Sequence, residues 1–276
     1  RDTMEPSRDY VFNHKGVYFT KNITTPECID SLETLEIRDS DVFIVTFPKS
    51  GTVWTQNIVS LIIHEGHRNG TENIKNMERM PWLEGHMKYV DYTALPSPRV
   101  FITHLPYYLT PRDLRNKRAR VIYVTRNPKD VLVSYFHFSK IMTTLEEVPD
   151  FNLFMERFLA GKGKICFLLR TSNPIALFHA VLKICNFLGK ELSEKEVESV
   201  VRQATFENMK KDPRANYGEI PGFLKEEKQG HFLRKGTIGD WKNIMTVAQS
   251  ERVDQVLKKK LENLPIKFIW DINDRM

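Results

Sequence analysis

The chain is poor in cysteine, with three in 276 residues: Cys28, Cys166 and Cys185. Three cannot all pair within one chain and none stands at metal-ligand spacing, so reduced thiols in a cytoplasmic protein are expected and zinc is not indicated. Nowhere do eighteen apolar residues run consecutively, and the first residues are polar and charged, so neither a membrane span nor a signal peptide is read. No carboxylate cluster is placed to hold magnesium. The Walker order G-x-x-x-x-G-K-[ST] is also missing, because Lys49 precedes Gly51 instead of following it. That argues against ordinary ATP or GTP binding. Internal repeats and low-complexity linkers are absent from the sequence.

What is present is an ordinary globular composition, 41% hydrophobic and 28% charged, long enough for one α/β domain over residues 1–276. Short β-branched and aromatic runs, each followed by polar or turn residues, predict strands at 42–47, 100–103, 121–125 and 165–169. Apolar residues three and four apart predict helices at 54–64, 128–138, 151–159, 180–188, 194–203 and 248–261. Such alternation implies a parallel sheet covered on both faces. Ligands then bind beyond the carboxyl ends of the strands, where Lys49, His104, Arg126 and Arg170 emerge. Residues 212–237 lose periodicity and read as a long mobile loop over that crevice. The net charge of +6 is compatible with a nucleic acid, a membrane surface, a small polyanion or a merely solvated lysine surface.

Four short elements carry chemistry. The loop from Phe47 through Lys49, Ser50, Gly51, Thr52 and Val53 to Trp54 joins a strand to a helix start, where unpartnered N–H groups, two hydroxyls and an ammonium suit a phosphate or sulfate. A plain strand-to-helix turn with a solvated lysine has the same pattern. His104, ending the second strand, titrates near neutrality and can accept a proton from an attacking hydroxyl or amine, or can be a hydrogen-bonded structural residue. Arg126 ends the third strand and Ser134 lies two turns into the next helix, so the two can share a second anion. A helix-start ion pair of Arg126 with Asp130 is the alternative. Arg234 and Lys235 before Gly236 allow close approach of backbone and guanidinium to a phosphate.

In this order, Pro48-Lys49-Ser50-Gly51-Thr52-Val53-Trp54, Thr103-His104-Leu105-Pro106, Arg126-Asn127-Pro128-Lys129-Asp130 through Ser134, and Arg234-Lys235-Gly236 resemble the cytosolic sulfotransferases. The similarity extends to Trp241-Lys242-Asn243 and Phe268-Ile269-Trp270-Asp271-Ile272-Asn273, covers nearly the whole chain, and is nearest the amine sulfotransferase subgroup. The resemblance implies a central parallel sheet flanked by helices, with a P-loop-like phosphosulfate loop, binding 3'-phosphoadenosine 5'-phosphosulfate (PAPS) without a metal. By that resemblance Lys49, Ser50, Gly51, Thr52, Val53 and Trp54 hold the 5'-phosphosulfate and adenine. Arg126, Ser134, Arg234, Lys235 and Gly236 hold the 3'-phosphate, and Phe206 is the second adenine-stacking ring. His104 is the implied base, with Lys49 stabilising the leaving phosphate oxygen. Lys242, Thr246, Val247 and Glu251 match the family's K-x-x-x-T-V-x-x-x-E dimer motif, which implies a homodimer. The implied partner is a small molecule, with no nucleic acid or membrane, in cytoplasmic xenobiotic metabolism.

Residues 161–181 depart from the family, which has a further helix there before a strand ending in Thr-Tyr-Glu-Asp. Here the connection is shorter by roughly twenty residues, about a crossover helix with its turns. Arg170 falls where the family has an adenine-contacting Tyr, and Ala204 where it usually has a Thr. Helix 151–159, stopped by Gly161 and Gly163, is the candidate to bridge the gap. A catalytically impaired variant that only binds nucleotide or dimerises is therefore the alternative function. For the acceptor, Pro81, Trp82, Phe138, Met142 and His231 are expected to line an apolar pocket. Glu84 is a candidate partner for a cationic amine, although a solvated loop carboxylate is the favoured reading.

Overall fold

The computed structural model describes residues 4–67, 74–85, 91–162, 174–218, 224–225, 232–262 and 268–271, with the side chains of 174–176 excepted. The centre is a parallel sheet of β3 (Val42–Thr46), β4 (Val100–Thr103) and β5 (Arg120–Val124), in the order β4-β3-β5. Val42 pairs with Val100 on one side and Arg120 on the other. Alternation sends Phe43 and Phe101 to one face and Val42, Ile44, Val100 and Ile102 to the other. Both faces are covered, which accounts for the near-continuous apolar runs of β3 and β4. The predicted strand 165–169 and Arg170 lie outside the described residues.

One face receives α2 (Thr52–Ile63), backed by α6 (Pro174–Leu188) and α7 (Glu194–Gln203) through Ile58, Leu61, Val181 and Val200. Ten of the twelve residues of α2 are buried, five of them polar: Thr52, Thr55, Gln56, Asn57 and Ser60. The other face carries Phe19 and Ile29, from the hairpin β1 (Val11–His14) and β2 (Val17–Thr20) and from α1 (Pro26–Ser31). Lys15 and Gly16 join the hairpin at φ +49° and +82°, the handedness a two-residue hairpin turn needs. A short α3 (Asn76–Arg79) follows α2. Then α4 (Pro128–Ile141), α5 (Phe151–Leu159) and α9 (Val247–Leu261) form a third cluster around Leu132, Phe158 and Val253. Between α7 and α9 lies α8 (Phe206–Lys211).

Apart from 165–169, the predicted elements are present: α2 begins two residues early at Thr52, α4 runs on to Ile141, and α6 begins six residues early at Pro174. Helix α5 ends as expected at Gly161 (φ +80°), whose N–H donates to Phe158 O while that of Lys162 donates to Arg157 O. Gly163 is outside the described residues. One expectation is corrected. Residues 212–218 are not a loop lying free over the site, because Ala215 and Tyr217 are buried against Val53 and Met209. At the amino end of the sheet Arg99 clamps Asp41: its Nε donates to Oδ1 at 2.9 Å, a terminal nitrogen donates to Oδ2, and both side chains are fully buried.

Candidate functional site

The carboxyl ends of β3, β4 and β5 open onto one cavity of about 880 Å³. Beyond β3 the chain turns through Lys49 (φ +68°) and Gly51 (φ +113°). Only a glycine takes the second angle without strain. Gly51 is also the N-cap of α2 and supplies no side-chain cap, so the first-turn N–H groups face an anion-binding position. Thr46 Oγ1 lies 2.7 Å from Thr52 Oγ1 and braces this turn from the strand. Trp54 Nε1 donates to Ala204 O at 2.7 Å, fixing the indole against the end of α7.

Lys49 reaches into the cavity between two rings, its Nζ 4.0 Å from the Phe138 centroid and 4.3 Å from that of Phe232. Burial, and then the charges of Arg126 and Arg234, push its ammonium down to about 7. A bound anion supplies the counter-charge that reverses this shift.

His104 follows β4 directly, and its Nδ1 lies 2.6 Å from Thr46 O and 3.1 Å from Thr46 Oγ1. A carbonyl can only accept, so Nδ1 carries the proton and the basic lone pair sits on Nε2. Trp82 packs edge-on to the imidazole at 4.5 Å. Glu84 receives the His104 N–H at 2.7 Å and the Thr103 hydroxyl at 2.8 Å. It is 1% exposed. The solvated-loop reading of Glu84 is thereby overturned, since two donors from β4 hold its carboxylate inside the wall.

Part of the cavity lining is cationic. Arg126 donates to Lys49 O at 3.4 Å and Thr237 O at 3.0 Å, while Asp130 is 4.0 Å away. The Asp130 carboxylate instead receives Asn127 Nδ2 at 2.7 Å and the N–H groups of Gly239 and Trp241 at 2.8 and 3.0 Å. It therefore ties the 239–241 backbone to the start of α4, and a tight Arg126–Asp130 pair is not formed. Asp240 receives Arg234 at 2.5 Å, Lys235 Nζ at 2.7 Å and Asn243 Nδ2 at 3.1 Å. Burial raises its pKa, but these donors prevail and hold it well below the usual carboxylate range. Gly236 (φ +67°) lies against Phe206, where an added Cβ would sit 2.3 Å from ring Cδ2.

All the expected nucleotide-side residues, from Lys49 to Trp54 with Arg126, Ser134, Phe206, Arg234, Lys235 and Gly236, line this one cavity, as do His104, Trp82, Glu84, Phe138 and Met142. Pro81 does not: it is buried behind the wall, its carbonyl accepting the Ile102 N–H. His231 lies outside the described residues. Lys242, Thr246, Val247 and Glu251 sit away from the cavity, all exposed, with Thr246 capping α9. Thr46, Phe232 and Asp240 were not singled out from sequence, and Asp130 was read only as an ion-pair partner of Arg126. Only Asp240, directly after Gly239 and near two cations, carried a local signal. Among the described residues no group of histidine, cysteine and carboxylate side chains could hold a metal ion, and no helix is long and apolar enough to cross a membrane.

A family model for the sulfotransferase domain matches residues 39–167 and 176–265. The break, 168–175, falls inside the atypical 161–181 stretch. An amine sulfotransferase of Oryctolagus cuniculus is 47% identical over 292 positions, covering 98% of this chain and 97% of its own. That alignment exceeds the 276-residue chain, so at least 16 positions of the relative (292 less 276) have no counterpart here. Sulfotransferase 2B1 of Rattus norvegicus is 38% identical over 94% of this chain and 82% of its own. Among solved structures, retinol dehydratase in complex with androsterone and the inactive cofactor PAP aligns with a TM-score of 0.79 at 22% identity, over 93% of this chain and 90% of that one. A mouse sulfotransferase complexed with PAP aligns at 0.73 and 24% identity, over 92% and 95%. At these identities the two structures bear on the fold, a single α/β domain. With a domain match over most of its length and 47% identity to an amine sulfotransferase from end to end, the chain belongs to the sulfotransferase family.

Proposed function

We propose that the protein moves a sulfuryl group from PAPS to the amine or hydroxyl of a small apolar or aromatic acceptor. The observation that carries this reading is one cavity lined by Lys49 and His104 together with Arg126, Arg234 and Lys235. The two phosphate groups of such a nucleotide match these cations, and Trp54 and Phe206 of the same lining offer rings for its base. PAP in the two solved neighbours supports a 3'-phosphorylated adenosine donor. The acceptor's lone pair forms a bond to sulfur as the sulfur–oxygen bond to the 5'-phosphate breaks. Its proton passes to His104 Nε2, and Lys49 meets the charge left on the phosphate oxygen. Trp82, Phe138 and Met142 supply the apolar acceptor wall, and Glu84 brings a carboxylate to it for a cationic amine. The exposed strip of Lys242, Thr246, Val247 and Glu251 is proposed as a homodimer contact. The cytoplasm is the proposed compartment, in keeping with the free thiols Cys28 and Cys185.

The purified protein is expected to transfer labelled sulfate to members of a panel of arylamines, phenols and steroids. His104→Ala should lower turnover by roughly 10²–10⁴-fold with nucleotide affinity retained, the usual worth of a general base. Transfer that survives the substitution removes His104 as the base. A second reading, a nucleotide-binding protein without turnover, rests on the interrupted match at 168–175 and the positions of the amine sulfotransferase missing here. Tight PAP binding with no transfer to any acceptor selects it.

A further inference from the structure

Two of the cavity's cations, Arg234 and Lys235, are already held before any nucleotide arrives. Arg234 and Lys235 both donate to the buried carboxylate of Asp240, Arg234 to Oδ2 at 2.5 Å and Lys235 to Oδ1 at 2.7 Å. Asp240 is 4% exposed, and Asn243 Nδ2 donates to its Oδ1 at 3.1 Å. Its own backbone is fixed in turn, because the N–H groups of the residues on either side, Gly239 and Trp241, donate to Asp130. The carboxylate occupies one donor nitrogen of a guanidinium that offers five N–H groups, and one of the three ammonium protons. Arg234 Nε is buried and has no hydrogen-bond partner among the described residues. A donor in that condition is costly unless a ligand takes it.

We infer that Asp240 is a positioning residue that sets the preference for a nucleotide carrying a 3'-phosphate, by holding Arg234 and Lys235 with their remaining donors converged on one anion. The inference rests on the reading of the site as a PAPS site and deepens it. Two long cationic side chains left to themselves repel and sample many rotamers, and ordering them at the moment of binding weakens affinity. A buried counter-ion removes most of that cost in advance. The opposite action is also physically available: a fixed carboxylate can compete with phosphate for the same donors. The donor count decides between them, since most N–H groups of the pair remain for the ligand.

The test measures adenosine 3',5'-bisphosphate and adenosine 5'-monophosphate binding by calorimetry to the full chain, as wild type, Asp240→Asn and Asp240→Ala. Wild type is expected to prefer the bisphosphate strongly. In the variants the bisphosphate should weaken about tenfold, roughly the loss of one charge-assisted hydrogen bond, while the monophosphate changes less than about twofold. Equal weakening of both nucleotides means a merely structural role and overturns the inference, leaving the PAPS reading intact. Tighter bisphosphate binding means competition and overturns it likewise. A wild type without preference for the bisphosphate overturns the PAPS reading and the inference together. Should both variants melt below the assay temperature, Asn243→Ala keeps the charge and removes only one support of the carboxylate. A weakening confined to the bisphosphate there supports the inference, and unchanged binding overturns it.

Discussion

Replacing Gly236 by alanine tests whether the ring of Phe206 belongs to a nucleotide site. The added Cβ would lie 2.3 Å from Phe206 Cδ2 and 2.8 Å from Cγ and Cε2. Carbon atoms rest at about 3.5–4.0 Å, so the ring must withdraw by more than about 1 Å. The φ of +67° adds a backbone cost of roughly 1–2 kcal/mol for any residue with a Cβ. The empty protein should therefore melt a few degrees lower, about 2–4 °C per kcal/mol in a chain of this size. A displaced ring forfeits base stacking of roughly 1–3 kcal/mol, which predicts nucleotide binding weaker by about 5- to 150-fold. Isothermal calorimetry with PAP measures this directly. The decisive comparison is Gly236→Ala in a Phe206→Ala background. With no ring to displace, the alanine should cost no further affinity although the melting shift persists. Unchanged PAP affinity in the single variant, or an equal loss in both backgrounds, refutes the proposed role of the ring.

The Arg99–Asp41 clamp is fully buried, so Arg99→Leu should strand a carboxylate and cost about 3–5 kcal/mol in urea denaturation; a loss under about 1 kcal/mol contradicts the pairing. Lys49, held down to about 7 by burial and its cationic neighbours, should regain a proton when a polyanion binds. Between about pH 7 and 10.5 the empty protein has released a proton that the complex retains, so binding takes one up and affinity falls as pH rises through this window. Calorimetry at pH 8 in two buffers of different ionisation enthalpy should show that uptake and lose it in Lys49→Met. Equal heats in both buffers for the wild type exclude it.

Sequence periodicity located the sheet strands at 42, 100 and 121 and, apart from the first six residues of α6, the long helices to within a few residues, because each buries a continuous or 3.6-spaced apolar set. The β1–β2 hairpin was passed over because neither Val11–His14 nor Val17–Thr20 alternates apolar with polar residues. Its turn is Lys15-Gly16, and lysine at positive φ lacks the signature that Asn-Gly or Asp-Gly provides. Residues with intrinsic chemistry, such as Lys49, His104 and Arg126, were legible because charge at a strand end has a direction. Glu84 was misread because the partners that bury it, Thr103 and His104, lie nineteen and twenty positions on. Pro81 was misread for the reverse reason, since nothing local distinguishes a pocket wall from the layer behind it. Asp130 and Asp240 act on backbone and side chains that only the assembled fold brings within reach.

The central place of β3 has a consequence for the order in which the molecule can assemble. Its neighbours on either side come from far along the chain: the Arg99–Asp41 pair spans 58 residues and the Arg126–Lys49 contact spans 77. The phosphate loop follows β3 directly, yet neither flank of that strand exists until β4 and β5 have been made. At synthesis rates of about 5–20 residues per second, the loop's backbone leaves the ribosome several seconds before the strands that give it a rigid base. Closing such long loops is slow and entropically unfavourable, so the first strand of the central sheet to be made is among the last to be fully paired.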